Sequence, residues 1–336
     1  MKLDTKKRLE IGSEFWDVPQ TEECNGIFPE STQWFLSGRA ALTSIIKDIQ
    51  SKHNVTSVYM PSWCCDSMIN PFLEAGVAVR FYPVYIENGS LRQDISDIRE
   101  EEILFLMDYF GYQTEVNARK SNAVVIRDLT HSIFSGARCD ADYSFGSLRK
   151  WAGFYTGGFA LGVSGENLSS DDAYVNLRRT AMLAKSSYIN GFSDNKDYLD
   201  LFHMAEEQLE HGAPTGAAPE DIRAAQHMNV SFIREQRRKN AAILMDAFAD
   251  WTIFPALNEK DCPLFVPILV PEGKRNELRS HLIQNKIYCP VHWPRTNLHR
   301  LDEQTAHIYE NELSLVCDQR YNELDMKRIV DVIRSF

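Results

Sequence analysis

The sequence predicts an α/β fold: a mostly parallel sheet covered by helices on both faces, followed by a smaller α+β layer. Three observations predict it. Apolar runs rich in β-branched and aromatic residues recur between residues 34 and 164. They are near-continuous instead of alternating, as strands buried on both faces are. Segments of helical periodicity separate them, which is what parallel neighbours require. After about residue 250 the pattern changes to shorter strands between two helices.

The elements follow in order. "QWFLSG" is a short strand running into a helix, where Leu42, Ile45, Ile46 and Ile49 fall at i, i+3, i+4, i+7. "SVYMP" is a strand closed by Pro61, and "DSMINPFLEAG" is helical, with Pro71 in its first turn or at a kink. "VAVRFYPV", "EILFLMDYF" and "NAVVIRDL" are the next strands. Residues 171–250 are mainly helical and include one long amphipathic stretch, "PEDIRAAQHMNVSFIREQRRKNAAILMDAFADW", with Pro219 near its start. "LFVPILV" and "IYCPVHW" are shorter strands, with helices at 272–286 and 324–335. The chain divides into an arm (1–29), a large domain (30–245) and a small C-terminal domain (246–336).

Composition narrows the function. The 336 residues, 44% hydrophobic and 25% charged, suffice for a substantial core. A net charge of -11 argues against nucleic acid, whose phosphates attract basic surfaces. The start "MKLDTKKRLEIGSEFW" has no apolar run behind its lysines and is not a secretory signal; no stretch has the length of a membrane span. Seven cysteines without metal spacing read as free thiols in a reducing cytoplasm, and no metal site is expected.

The chemistry gathers in "VVIRDLTHSIFSGARCDADYSFGSLRKWAGFYTGG", residues 124–158. In an open α/β sheet, ligands collect beyond the carboxyl ends of the strands. Asp128 ends one strand there, Ser144, Ser147 and Lys150 follow another, and Ser37-Gly38 opens a helix at a strand end. The unpaired amides of that helix start suit an anion. A lysine, an aspartate and a phosphate cradle together suit pyridoxal phosphate: the amine meets the aldehyde, and the carboxylate holds the ring nitrogen protonated.

The order and wording of these pieces resemble the DegT/DnrJ/EryC1/StrS family of sugar aminotransferases. "SGRAAL" is similar to that family's helix start, and "VYMPSWCCDSM" to its proline-serine loop. "MDYFG", "VVIRDLTHSIFS" and "YSFGSLRKWAGFYTGG" resemble its next segments, and the likeness extends through "CPVHWP" to the C-terminus. The resemblance implies a fold-type-I aminotransferase, a large domain with a mixed, mostly parallel sheet sandwiched by helices, and a smaller α+β domain. It implies Lys150 as Schiff-base lysine, Asp128 as partner of the pyridine nitrogen and His131 beside the ring. Gly38 and Arg39 would offer amides to the phosphate, and Trp63 or Cys65 falls where an aromatic stacks on the cofactor. The family's phosphate serine would fall at Phe145, so Ser144 or Ser147 takes that role after a local bulge. The family's Asn-x-Arg segment, which reaches the partner's cofactor, appears as "GAPTGAAPED", with Thr215 the candidate contact. The implied protein is a homodimer with shared active sites, using glutamate or a similar donor and a nucleotide-linked keto-sugar acceptor in polysaccharide or secondary-metabolite synthesis.

Each of these residues also has a plainer reading. Asp128 could cap a helix over "LTHSIF", His131 could be a satisfied polar group, Trp63 could be core, and His292 reads as structural. "SLRK" fits the Ser-x-x-Lys of serine acylases, but no Lys-Thr-Gly strand accompanies it. The alternative to an enzyme is a silent member of the same fold acting as a binding or scaffold module. The family's dehydratase branch, with histidine in place of the lysine, is opposed by Lys150.

Overall fold

The computed structural model describes residues 10–87, 89–112, 114, 116, 122–136, 141–165, 168–209 and 215–336. Seven strands form its main sheet: β1 (Gln33–Phe35), β2 (Ser57–Pro61), β3 (Ala78–Tyr82), β4 (Glu102–Met107), β5 (Val124–Asp128), β6 (Tyr143–Ser147) and β7 (Gly158–Leu161). Their order across the sheet is β1-β7-β6-β5-β4-β2-β3. The five strands from β6 to β3 run parallel; β7 alone is reversed, antiparallel to both β6 and β1. Every residue of β4 is buried, which explains why "EILFLM" shows no alternation.

The register gathers five chain segments at one edge. The parallel strands end there at Pro61, Tyr82, Met107, Asp128 and Ser147, with Met107 opposite Asp128. Because β7 is reversed, its first residue Gly158 arrives at the same edge, opposite Ser147 on one side and Phe35 on the other. Helix α1 (Gly38–Lys52) starts after two intervening residues, Leu36 and Ser37, beyond β1 and buries Leu42, Ile45, Ile46 and Ile49, the stripe its spacing dictates, against β6 and β7. Each such aliphatic side chain contributes about 1.5–3 kcal/mol of transfer free energy.

Helix α2 (Asp66–Glu74) carries Pro71 beyond its first turn. Helices α3 (Asp172–Ile189) and α4 (Tyr198–Leu209) pack on each other. The long amphipathic stretch is two helices, α5 (Pro219–Gln226) and α6 (Val230–Ala247). The break has a local cause: Asn229 Oδ1 accepts the Phe232 N–H at 3.1 Å and caps α6, so the pattern restarts there.

Beyond α6, β8 (Phe265–Leu269) pairs antiparallel with β9 (Glu312–Val316) in a separate two-stranded sheet. Helices α7 (Arg275–Gln284), α8 (Glu303–Asn311) and α9 (Glu323–Arg334) accompany it, and α6 packs on α9. Near the N-terminus, Ile11–Gly12 lies parallel to Ile287–Tyr288. Arg320 donates to the carbonyls of Ser13 and Glu14, tying this segment to the C-terminal part. Six cysteines are described and all are free. Among the described residues no helix is long and apolar enough to cross a membrane.

Candidate active site

A cavity of about 740 Å³ opens at the carboxyl edge of the main sheet. Its first wall is made by close backbone approach. Gly157 has φ +114°, and a Cβ on Gly158 would lie 2.1 Å from the Ser37 carbonyl oxygen. The double glycine is therefore what lets β7 pass the start of α1. Ser37 caps that helix, its Oγ accepting the Ala40 N–H at 3.1 Å. A Cβ on Gly38 would sit 3.3 Å from the Ser147 Cβ, so the first-turn amides and the Ser147 side chain border the same space. That corner suits an anion, because helix-start amides and the macrodipole both favour negative charge.

The second wall carries Asp128 and Lys150. Asp128 is 2% exposed at the end of β5, and its Oδ1 accepts the Thr130 N–H at 2.7 Å. Burial pushes its carboxyl up to about 6, against the opposing pull of the Thr130 bonds and of Lys150. A cation placed against it would restore the ordinary preference for the charged form. Lys150 ends a single 3₁₀ turn, Leu148–Lys150, that follows β6 and is tied down by Leu148 N–H donating to the Gly157 carbonyl at 2.9 Å. Its side chain lines the cavity and is exposed.

The third wall is aromatic. His131 is buried, its Nδ1 accepting the Phe110 N–H at 3.4 Å and its ring stacked on Trp293 at 5.5 Å. Burial, His292 and Lys150 together hold it well below the ordinary imidazole range, so it is neutral near pH 7. His292 lies edge-on to it at 5.3 Å. Behind His292, its Nδ1 is 2.8 Å from Ser314 Oγ, which donates to Glu312 Oε1 at 2.5 Å.

Several expectations change in three dimensions. Asp128 caps only a turn, because residues 130–134 form turns and no helix. Trp63 does not line the cavity. Its indole is fully buried, stacks on Tyr109 at 4.9 Å, and donates to the His292 carbonyl at 2.6 Å, so it fills the core behind the wall. Cys65 at the end of the same loop, with Ser67 and Met68 in the first turn of α2, reaches the cavity in its place. No bulge occurs in β6, whose pairing with β7 is regular from Ser144 to Ser147. Strand alternation puts Ser147 and Phe145 on the cavity side, and Ser144 on the opposite face. The Arg39 guanidinium donates to the Leu209 carbonyl at 3.1 Å, at the end of α4. Of the segment 212–221, residues 212–214 lie outside the described residues; the Thr215 carbonyl accepts the Leu36 N–H at 2.7 Å.

Sequence reasoning missed Glu312 and Ser314. The signal was there: in "ELSLV", Glu312 and Ser314 alternate with Leu313 and Leu315, a polar face on a strand buried throughout.

No protein-family model matches the chain, and no curated protein matches its sequence. Solved structures do share its fold. It is similar to Helicobacter pylori PseC, an aminotransferase involved in the biosynthesis of pseudoaminic acid, with TM-score 0.63 and 15% identity over 96% of this chain and 99% of that one. It is similar to a DegT DnrJ EryC1 StrS aminotransferase from Brucella abortus, with TM-score 0.61 and 15% identity over 91% and 85%. NtdA from Bacillus subtilis with bound cofactor PMP gives TM-score 0.61 and 13% identity over 90% and 72%. The family resemblance read from the motifs is thus matched at the level of fold.

Proposed function

We propose that this chain is a pyridoxal-phosphate-dependent aminotransferase. In this reading it moves an amino group from glutamate, or a similar amino acid, to a keto-sugar carried on a nucleotide, as a cytoplasmic homodimer with shared sites. One observation carries the proposal: an exposed lysine, a buried carboxylate and a helix-start amide cradle border a single cavity. The solved aminotransferases of the same fold support it, one of them with PMP bound.

The residues fit the cofactor. The space a Gly38 side chain would take is the space a phosphate needs, and the raised Asp128 carboxyl wants a cation such as a protonated pyridine. Gly38 and Arg39 amides and the Ser147 hydroxyl would hold the phosphate. When bound, pyridoxal phosphate supplies an aldehyde for the amino group and a ring that draws electrons from the adjoining carbon. Asp128 keeps the proton on the ring nitrogen. Lys150 would supply the amine that the aldehyde needs, and its Nζ would hold the proton taken from the donor carbon. Neutral His131 bounds the ring without adding a competing charge. The exposed apolar side chains Leu183 (65%), Phe192 (69%) and Met204, on and between α3 and α4, are ones a second copy would cover.

Titrating purified protein with pyridoxal phosphate should produce a visible absorption band that glutamate bleaches. Lys150→Ala should lose the band while keeping its circular dichroism. No band in the wild type, or an unchanged band in the variant, would overturn the proposal. Sedimentation that gave a fully active monomer would remove the shared site.

A further inference from the structure

Three buried side chains behind the aromatic wall form a chain that ends in the cavity. Glu312 and Ser314 on β9 are fully buried, and His292 is 5% exposed. Glu312 Oε2 accepts the His292 backbone N–H at 2.7 Å, fixing the segment that carries the imidazole. The 2.8 Å contact of His292 Nδ1 with Ser314 Oγ and the 2.5 Å Ser314–Glu312 bond complete the chain. His292 Nε2 has no hydrogen-bond partner among the described residues, and the ring lines the cavity. An imidazole whose far nitrogen is held by a hydroxyl and a carboxylate presents its near nitrogen to a ligand in a defined tautomer.

From this arrangement we infer that His292 is a further catalytic residue, taking a proton from the amino donor's ammonium at Nε2 while Ser314 and Glu312 carry the compensating proton away from Nδ1. The inference rests on the aminotransferase reading, in which the donor arrives as an ammonium and must become a free amine to react. The balance is closed. The ammonium N–H bond breaks and an Nε2–H bond forms; the Nδ1 proton passes to Ser314 Oγ, and the Ser314 hydroxyl proton passes to Glu312 Oε1. The donor leaves the step as a neutral amine, the imidazole as its other neutral tautomer, and Glu312 as a carboxylic acid.

The electrostatics suit a relay better than a simple base. The charged groups facing His292 are Lys150 after β6 and Glu312 on β9; His131, after β5, is titratable, and Arg275 on α7 donates to the Glu312 carbonyl at 3.1 Å. Burial and Lys150 hold the His292 imidazole well below its ordinary range, so it resists becoming a cation. In the relay it never becomes one. Burial pushes the Glu312 carboxyl up to about 8, so near neutral pH most of it already holds a proton and the ionised form that can receive one grows as pH rises through that value. With Glu312 ionised, Ser314 donates to it and accepts from Nδ1–H, leaving Nε2 a base; with Glu312 protonated, Ser314 donates to Nδ1 and Nε2 carries the proton. The donor step should therefore speed up as pH rises through about 8.

The test combines ¹⁵N-histidine spectra with single-turnover kinetics on the loaded protein, using glutamate as donor. In the wild type the His292 signals, assigned by Glu312-independent loss in His292→Gln, should stay neutral and exchange tautomer near pH 8. Glu312→Gln and Ser314→Ala should freeze the tautomer and flatten the pH profile. They should slow the donor step at least about tenfold at high pH, within the roughly 10²–10⁴-fold range of general base catalysis. Cofactor absorbance should be unchanged in both. A loaded, active protein whose tautomer and pH profile are indifferent to Glu312→Gln overturns this inference and leaves the aminotransferase reading standing. A protein that takes up no cofactor overturns the reading itself.

Discussion

Replacing Asp128 by asparagine should make the cofactor-free protein more stable at neutral pH. Asp128 is 2% exposed, and burial lifts its carboxyl from the ordinary 3.8 to about 6. At about 1.36 kcal/mol per pH unit, that gap amounts to about 3 kcal/mol. The sign follows from proton binding. The native state holds this proton more tightly than the unfolded chain, so its stability falls as pH rises from about 4 to about 6. The penalty is absent below that window and complete above it. Asparagine carries no charge, yet keeps an Oδ1 to accept the Thr130 N–H that Asp128 accepts at 2.7 Å. At pH 7 the variant should therefore unfold at higher urea than the wild type, with a difference of up to about 3 kcal/mol that vanishes near pH 4. Pyridoxal phosphate should reverse the ranking, because a protonated ring nitrogen relieves the penalty only where a carboxylate stands. Urea midpoints for both proteins, at acid and neutral pH, with and without cofactor, measure all of this. A pH-independent difference, or equal stabilisation of both proteins by the cofactor, would refute the reasoning.

Two further outcomes check the other walls. Ser147→Ala should raise the pyridoxal phosphate dissociation constant about tenfold to a hundredfold, since a bond to a charged group contributes about 1.5–3 kcal/mol. Ser144→Ala should leave it unchanged, and the opposite pattern in equilibrium dialysis would move the phosphate across the strand. Gly158→Ala places a Cβ 2.1 Å from the Ser37 carbonyl oxygen, so it should cost about 1–3 kcal/mol or more by overpacking. It should also loosen cofactor by displacing the α1 cap, and wild-type values for both unfolding and retention would show that the crossing tolerates a side chain.

What the sequence by itself determined was local and periodic. The α/β class came from apolar runs separated by helical ones, and the residues "SGRAAL", Asp128, Lys150 and Gly157-Gly158 were legible because each is a short motif next to a strand end. Parallel strands then do the assembling, since all their carboxyl ends must share one edge. The tertiary structure decided everything that depends on which way a side chain faces. Ser144 and Ser147 lie six and three residues before Lys150, neither at the family's spacing of five, and only the unbroken pairing of β6 with β7 assigns Ser147 to the cavity. Trp63 and Cys65 share a loop, and the room available to an indole behind Tyr109 sends Trp63 inward. Glu312 and Ser314 reach His292 because β9 packs beside it, across some twenty residues of intervening chain. Register, burial and cross-strand contact are non-local quantities, fixed by the packing of many segments at once, and no window of sequence contains them.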